Sequence, residues 1–278
     1  MDINNYYAEE NEKPLDKIAY NGGFCGIFRT ICCIGDSLSS GEFETVGKDG
    51  THHYYDMYEY SWGQYIARMT GSKVYNFSRG GMTAKQYCES FADDNGFWAA
   101  KFASQAYIIA LGANDKWQEY ETGSVADVDL DDHINNKKTF AGYYGEIIQR
   151  VKKISPDAKL FFVTEPKHSS DNEKAVLRKQ EEREVLYGFT KLFEGSYIID
   201  LYKYGPVYDE KFKHNFYLNG HMTPSGYMLS ANMIASYIDY IIRSNPRDFA
   251  LAGLIGTGID PGVTDTIERN LYEDRKLF

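Results

Sequence analysis

A chain of 278 residues that is 43% hydrophobic can bury the core of one large domain, and it has no run of about 18 uncharged apolar residues of the kind a membrane helix needs. Its 30 Lys and Arg against 40 Asp and Glu leave a net charge of −10, which argues against nucleic acid or an anionic membrane as the main partner. The four cysteines, Cys25, Cys32, Cys33 and Cys88, form no C-x-x-C pair, so neither a disulfide framework nor a zinc site is expected.

Residues 1–23 are polar and tyrosine-containing and are expected to form an N-terminal arm. The opening MDINNYYAEENEK has no basic segment followed by an apolar one, so a cytoplasmic location is expected, although a trimmed chain would read the same. The first apolar run is 30–35 (TICCIG), in which Cys32 and Cys33 are expected to act as small buried hydrophobes. Residues 41–60 read as a tyrosine-rich polar loop with His52, His53, Tyr54 and Tyr55. A helix is predicted over 58–70, with Trp62, Tyr65, Ile66 and Met69 on one stripe and Gly71 as its stop.

Further strands are predicted at 73–78 (KVYNFS), 106–112 (AYIIALG), 159–165 (KLFFVTE) and 196–200 (SYIID). Between and after them lie helical patterns at 140–154, 174–193 and 223–244, the last with Thr223 as cap and Pro224 in the first turn. A second loop, 117–136, is acidic, with Asp127, Asp129, Asp131 and Asp132. Continuous apolar strands alternating with helices imply a parallel sheet covered on both faces, in one domain over 24–244. Residues 245–278, with a charged helix predicted over 264–276, are expected to pack on the domain or to make a homodimer contact.

In such sheets chemistry gathers at the carboxyl ends of the strands, and these runs end in polar residues. Gly35-Asp36-Ser37-Leu38-Ser39 follows the first. Asp36 or Ser37 there is either a helix cap or a nucleophile held at the sheet edge, which would need a base. Asn76-Phe77-Ser78-Arg79-Gly80-Gly81-Met82-Thr83 follows the second, and its paired glycines serve either a tight turn or the close approach of a ligand to backbone N–H groups. Gly112-Ala113-Asn114-Asp115 follows the third, where the Asn114 amide either closes an Asx-turn or donates to a developing oxyanion. His221, in Asn219-Gly220-His221-Met222-Thr223, precedes the final helix and returns to the same edge as Ser37.

These four blocks, in this order, resemble those of the SGNH/GDSL hydrolase superfamily of lipases, esterases and acetylesterases. "IGDSLSSG" matches the nucleophile block and implies Ser37 as nucleophile. "NFSRGGMT" implies Gly81 as an oxyanion donor, with Gly80 as the fallback, and "LGANDKW" implies Asn114 as another, beside the Ser37 N–H. "HMTPSGY" implies His221 as the base. The resemblance covers about residues 31–227 and implies a flavodoxin-like three-layer α/β/α sandwich on a five-stranded parallel sheet, with no cofactor and no metal.

One block departs from the pattern. The family usually carries Asp three residues before the histidine, and Leu218 stands there. The imidazole is then expected to be oriented by the Leu218 carbonyl or by a carboxylate from another strand end, Glu165 or Asp200. The expected function is a serine esterase acting on acyl esters, short-chain or acetyl, borne by a small molecule or a carbohydrate. The alternative is a catalytically impaired binding protein on the same fold.

Overall fold

The run TICCIG is buried from Ile31 onward because both of its faces are covered. In the computed structural model, which describes residues 3–259, it forms β1 (Thr30–Gly35). The later strands are β2 (Glu42–Val46), β3 (His52–Asp56), β4 (Lys73–Ser78), β5 (Ala106–Ala110), β6 (Lys159–Val163), β7 (Ser196–Ile199), β8 (Tyr217–Leu218) and β9 (His221–Met222). Five of them make one parallel sheet in the order β4-β1-β5-β6-β7.

Numbered among themselves, these five strands run 2-1-3-4-5, a doubly wound order whose switch point lies between β1 and β5. Helices cover both faces, giving a three-layer α/β/α sandwich. Cys32 and Cys33 point to opposite faces and belong to different core clusters. Phe140–Ile154 and Glu173–Leu192 pack on one side, with Tyr144, Ile147, Leu186 and Phe189 in the core. Trp62–Thr70 and Pro224–Ser244 pack on the other, with Trp62, Ile66, Ile234 and Ile238. Burial raises the thiol pKa of both cysteines well above its ordinary value, as befits side chains used for packing.

The predicted helix over 58–70 is two pieces. A 3-10 turn at Tyr58–Tyr60 ends at Ser61, whose hydroxyl accepts from Gln64 N and starts Trp62–Thr70. Gly71 closes that helix in the left-handed conformation. The larger correction concerns the predicted loop at 41–60. It contains an antiparallel hairpin, β2 with β3, in which Glu42 faces Asp56 and Glu44 faces Tyr54. Charged residues at alternate positions hid the period of two from a reading based on apolar runs.

The N-terminal arm lies along Pro224–Ser244, where Arg243 pairs with Glu12 at 2.5 Å and Tyr240 donates to the Glu12 carbonyl. At the other end, Gln105 Nε2 donates to the carbonyls of Gly253 and Ile255. The predicted helix over 264–276 lies outside the described residues. Among the described residues, no helix is long and apolar enough to cross a membrane.

Candidate active site

Asp36 is the cap: its carboxylate accepts from Leu38 N at 3.1 Å at the start of the short helix Ser37–Ser40. Ser37 is the first residue of that helix, a position whose N–H has no partner within the helix. Burial pushes the Asp36 carboxyl up to about 6, helped by the nearby charge of Glu165.

The second and third strand ends are tied together. Asn114 Nδ2 donates to the Met82 carbonyl at 3.2 Å and, at a longer 3.4 Å, to Asp36 Oδ2. The buried Asp115 carboxylate accepts from Ala84 N through both oxygens at 3.1 Å. Its burial raises its pKa to about 7. Gly81, one residue before Met82, has φ +71°, a backbone region that L side chains rarely adopt. Asn76 Nδ2 donates to the Ser39 carbonyl and fixes the second block against the first. Through these bonds Ser37, Gly81 and Asn114 come from three strands to one edge.

His221 completes that edge from a different element. It opens β9, which pairs with β8 so that His221 faces Leu218 across the Asn219-Gly220 turn. Asn219 takes φ +56° there, which asparagine tolerates. The carboxylate that meets Nδ1 of the imidazole is Glu44 of β2, rather than any of the three partners that the sequence suggested, the Leu218 carbonyl, Glu165 and Asp200. Glu44 Oε2 lies 3.0 Å from His221 Nδ1 and also accepts from Gly220 N at 2.7 Å. A β-carbon at residue 220 would collide with that same oxygen, so the turn needs glycine for close approach. Glu44 Oε1 meets His52 Nδ1 at 2.5 Å, and Asn219 Nδ2 donates to the Glu44 backbone carbonyl at 2.9 Å.

Glu165 is occupied elsewhere, by Lys116 at 2.5 Å and Lys179 at 3.1 Å. Leu218 contributes its strand pairing to the hairpin. Asp200, which is fully buried, holds Arg183, Tyr187 and Thr164. The signal that could have found Glu44 is Glu-Phe-Glu directly after the first block: alternate positions on a strand share a face, so two carboxylates would point together.

The second of those carboxylates is at the site as well. Glu42 Oε1 lies 3.0 Å from His221 Nε2, so each ring nitrogen faces a glutamate. Burial works against charging the ring, but the pairing with Glu42 and Glu44 prevails and raises the His221 pKa above its usual value. Burial likewise opposes the Glu44 charge, and its bonds to His52, His221 and Gly220 N lower its pKa overall. Tyr54 stands edge-on to the His221 ring at 5.8 Å.

Ser37, Asn114 and His221 line one cavity of about 520 Å³, and Glu165 lines it too. Trp117, Tyr208, Tyr217, His168 and Lys213 form its outer rim and walls. The acidic loop closes turns instead. Asp129 accepts from Asp131 N and Asp132 N, and Asp127 holds Lys137 and Thr139. Among the described residues, no group of three or more His, Cys, Asp or Glu is placed to hold a metal ion.

A hydroxyl at a strand end, an imidazole with a carboxylate behind it and an amide donor on one cavity are the parts that acyl transfer uses. The model of the GDSL-like lipase/acylhydrolase family matches residues 33–229. The chain belongs to that family. It is a carboxylic ester hydrolase. Among solved structures, an active-site mutant of a family two carbohydrate esterase from Clostridium thermocellum matches with a TM-score of 0.55 and 16% identity, over 82% of this chain and 64% of that one. A possible lipase from Chitinophaga pinensis matches with a TM-score of 0.51 and 17% identity, over 77% and 99%. A family two carbohydrate esterase from Corynascus, which carries a carbohydrate-binding domain, gives 0.52 and 16%, over 76% and 65%. At such identities the likeness is one of fold. No curated protein sequence matches the chain significantly.

Proposed function

We propose that this GDSL-family hydrolase cleaves acetyl or other short-chain esters through Ser37 and His221, with Glu44 as the acid of the triad. The observation that carries the reading is the 3.0 Å contact of Glu44 Oε2 with His221 Nδ1. It places a carboxylate behind the ring although position 218 has none. A carboxylate there fixes the tautomer and stabilises the imidazolium that forms during attack. The impaired-binding-protein alternative rested on the missing aspartate, and the Glu44 contact weighs against it.

In this mechanism His221 Nε2 takes the Ser37 proton as Ser37 Oγ bonds to the ester carbonyl carbon. The Ser37 and Gly81 N–H groups and the Asn114 amide hold the oxyanion. Asn114 would do so by giving up its long 3.4 Å contact to Asp36 while keeping Met82. The tetrahedral intermediate collapses, the bond to the alcohol oxygen breaks, and His221 returns the proton to that oxygen. Water, deprotonated by His221, then releases the acid and restores Ser37.

A carbohydrate alcohol suits the cavity. Trp117 is 80% exposed at its rim, and Tyr217, His168 and Lys213 add polar groups to its walls. An exposed indole face stacks on the apolar face of a sugar ring, and polar groups around it meet hydroxyls. Two of the proteins with similar folds are carbohydrate esterases, which supports this choice. The test is labelling with a fluorophosphonate probe, followed by turnover of p-nitrophenyl acetate and of acetylated sugars. An adduct on Ser37, and loss of turnover in Ser37→Ala with an unchanged circular dichroism spectrum, are expected. Full activity in Ser37→Ala would overturn the assignment.

A further inference from the structure

Glu42 has no part in the mechanism above, yet it is on the nitrogen that the mechanism needs. Glu42 and Glu44 are two residues apart on β2, so the pleat sends both side chains to one face. His221 lies between them, 3.0 Å from each. A neutral imidazole has one N–H and one lone pair, so a carboxylate at both nitrogens calls for the doubly protonated ring. That form cannot take the Ser37 proton. Glu42 must therefore leave Nε2, and the ring must lose that proton, before the reaction assigned in the preceding section, on which this inference rests.

Glu42 cannot go far. Its carboxylate packs on Gly80, where a β-carbon would collide with Oε2, and Tyr227 OH holds its backbone carbonyl at 2.5 Å. Its side chain is 12% exposed. Once off the ring, a carboxylate so held remains near Nε2, to which the alcohol oxygen of the ester must come to receive its proton. A mostly buried carboxylate that gives up a charged partner is penalised unless a new donor replaces it.

An ester whose alcohol part carries further hydroxyls brings such donors, and an ester of a hydrocarbon alcohol brings none. We propose that Glu42 is a specificity-determining residue, selecting esters of polyhydroxylic alcohols, as in an acetylated sugar, over esters of hydrocarbon alcohols. The ion pair with His221 is the reference state that every substrate must replace, and only a donor-bearing alcohol replaces it in kind.

The experiment compares kcat/KM of the wild type, Glu42→Gln and Glu42→Ala on a monoacetylated methyl glycoside and on cyclohexyl acetate. The wild type is expected to favour the glycoside by about tenfold or more, since a polar site left unpaired discriminates strongly. Glu42→Ala is expected to shrink that ratio about tenfold, chiefly by raising turnover of cyclohexyl acetate. Glu42→Gln keeps the volume and an acceptor and should lie between; it carries the test if the alanine variant fails to fold. An unchanged ratio, or a parallel fall on both esters, overturns the role of Glu42 while Ser37 still takes the fluorophosphonate. A wild type that hydrolyses neither ester and takes no probe overturns the Ser37 mechanism, and this inference with it.

Discussion

Glu44 Oε2 stands 3.0 Å from His221 Nδ1, although 177 residues separate the two in the chain. Within the GDSL-like family the acid is usually sought three residues before the histidine, where this chain has Leu218. In the proposed mechanism it arrives from a hairpin that follows the serine block directly, and the backbone N–H of Gly220 shares its oxygen with the ring. A single carboxylate thereby ties the first block to the last.

Replacing it with the isosteric amide should be costly. Glu44→Gln is expected to lower kcat by up to about 10⁴, with a much smaller change in KM, as the neutralised acid of a triad does. Glu165→Gln, which touches Lys116 and Lys179 rather than the ring, should leave the pH profile of kcat/KM where it is. Steady-state kinetics of the two variants side by side decide the matter; equal losses would return Glu165 to candidacy.

The raised pKa of His221 predicts where activity begins on the pH axis. The ring must be neutral to act as base, so the acid limb of kcat/KM should have its midpoint above the ordinary histidine value of 6.5. Glu44→Gln removes one of the charges that hold the proton, and its limb should move to lower pH. The same shift has a stability sign. A folded-state pKa above the unfolded one contributes stability that is fully present below 6.5 and is lost as pH rises through the raised value. A pH–rate profile with its acid midpoint below 6.5 would contradict the double pairing of the ring.

Asn114 is expected to matter in the transition state. Asn114→Ala should lower kcat by about 10²–10³, or roughly 2.7–4 kcal/mol, with KM little changed. Because Asn114 Nδ2 also holds Met82 O, a thermal melt of the variant is needed alongside the kinetics. A KM effect without a kcat effect would make Asn114 a binding residue.

Trp117 separates sugar recognition from chemistry. At 80% exposure it contributes little to the core, so Trp117→Ala should change stability by about 0.5 kcal/mol or less. KM for an acetylated oligosaccharide should rise several-fold, while p-nitrophenyl acetate is hydrolysed as before. Equal effects on both substrates would place Trp117 outside a sugar subsite.

Much of this protein could be read from local pattern. The strand 30–35 and the helix 140–154 have the bounds that their residues predict. The strands at 106–112, 159–165 and 196–200 end one or two residues early, where the chain turns into the loops that bear the polar residues. These elements are legible because a buried strand needs a continuous apolar run and a helix needs its stripe and caps, all set within a few residues. That Ser37 and Asn114 share an edge was legible for a related reason: each follows a strand of the parallel sheet, whose like ends lie at one edge, whereas His221 reaches it from the β8–β9 hairpin.

The partner of the imidazole belonged to another level. Glu44 reads locally as one acidic residue in a polar loop, and nothing near it names His221. Its role depends on the register of β2 against β3, on the pleat that aims Glu42 and Glu44 the same way, and on a turn at Asn219-Gly220 open enough to let a carboxylate approach. The amino-acid sequence by itself determined the sheet, the order of its blocks and which groups reach its edge, because those follow from short-range hydrophobic and capping preferences. Only the tertiary structure decided which charge stands behind the histidine and which stands in front of it, because a contact between side chains 177 residues apart is set by how separate elements pack and not by what either one prefers alone.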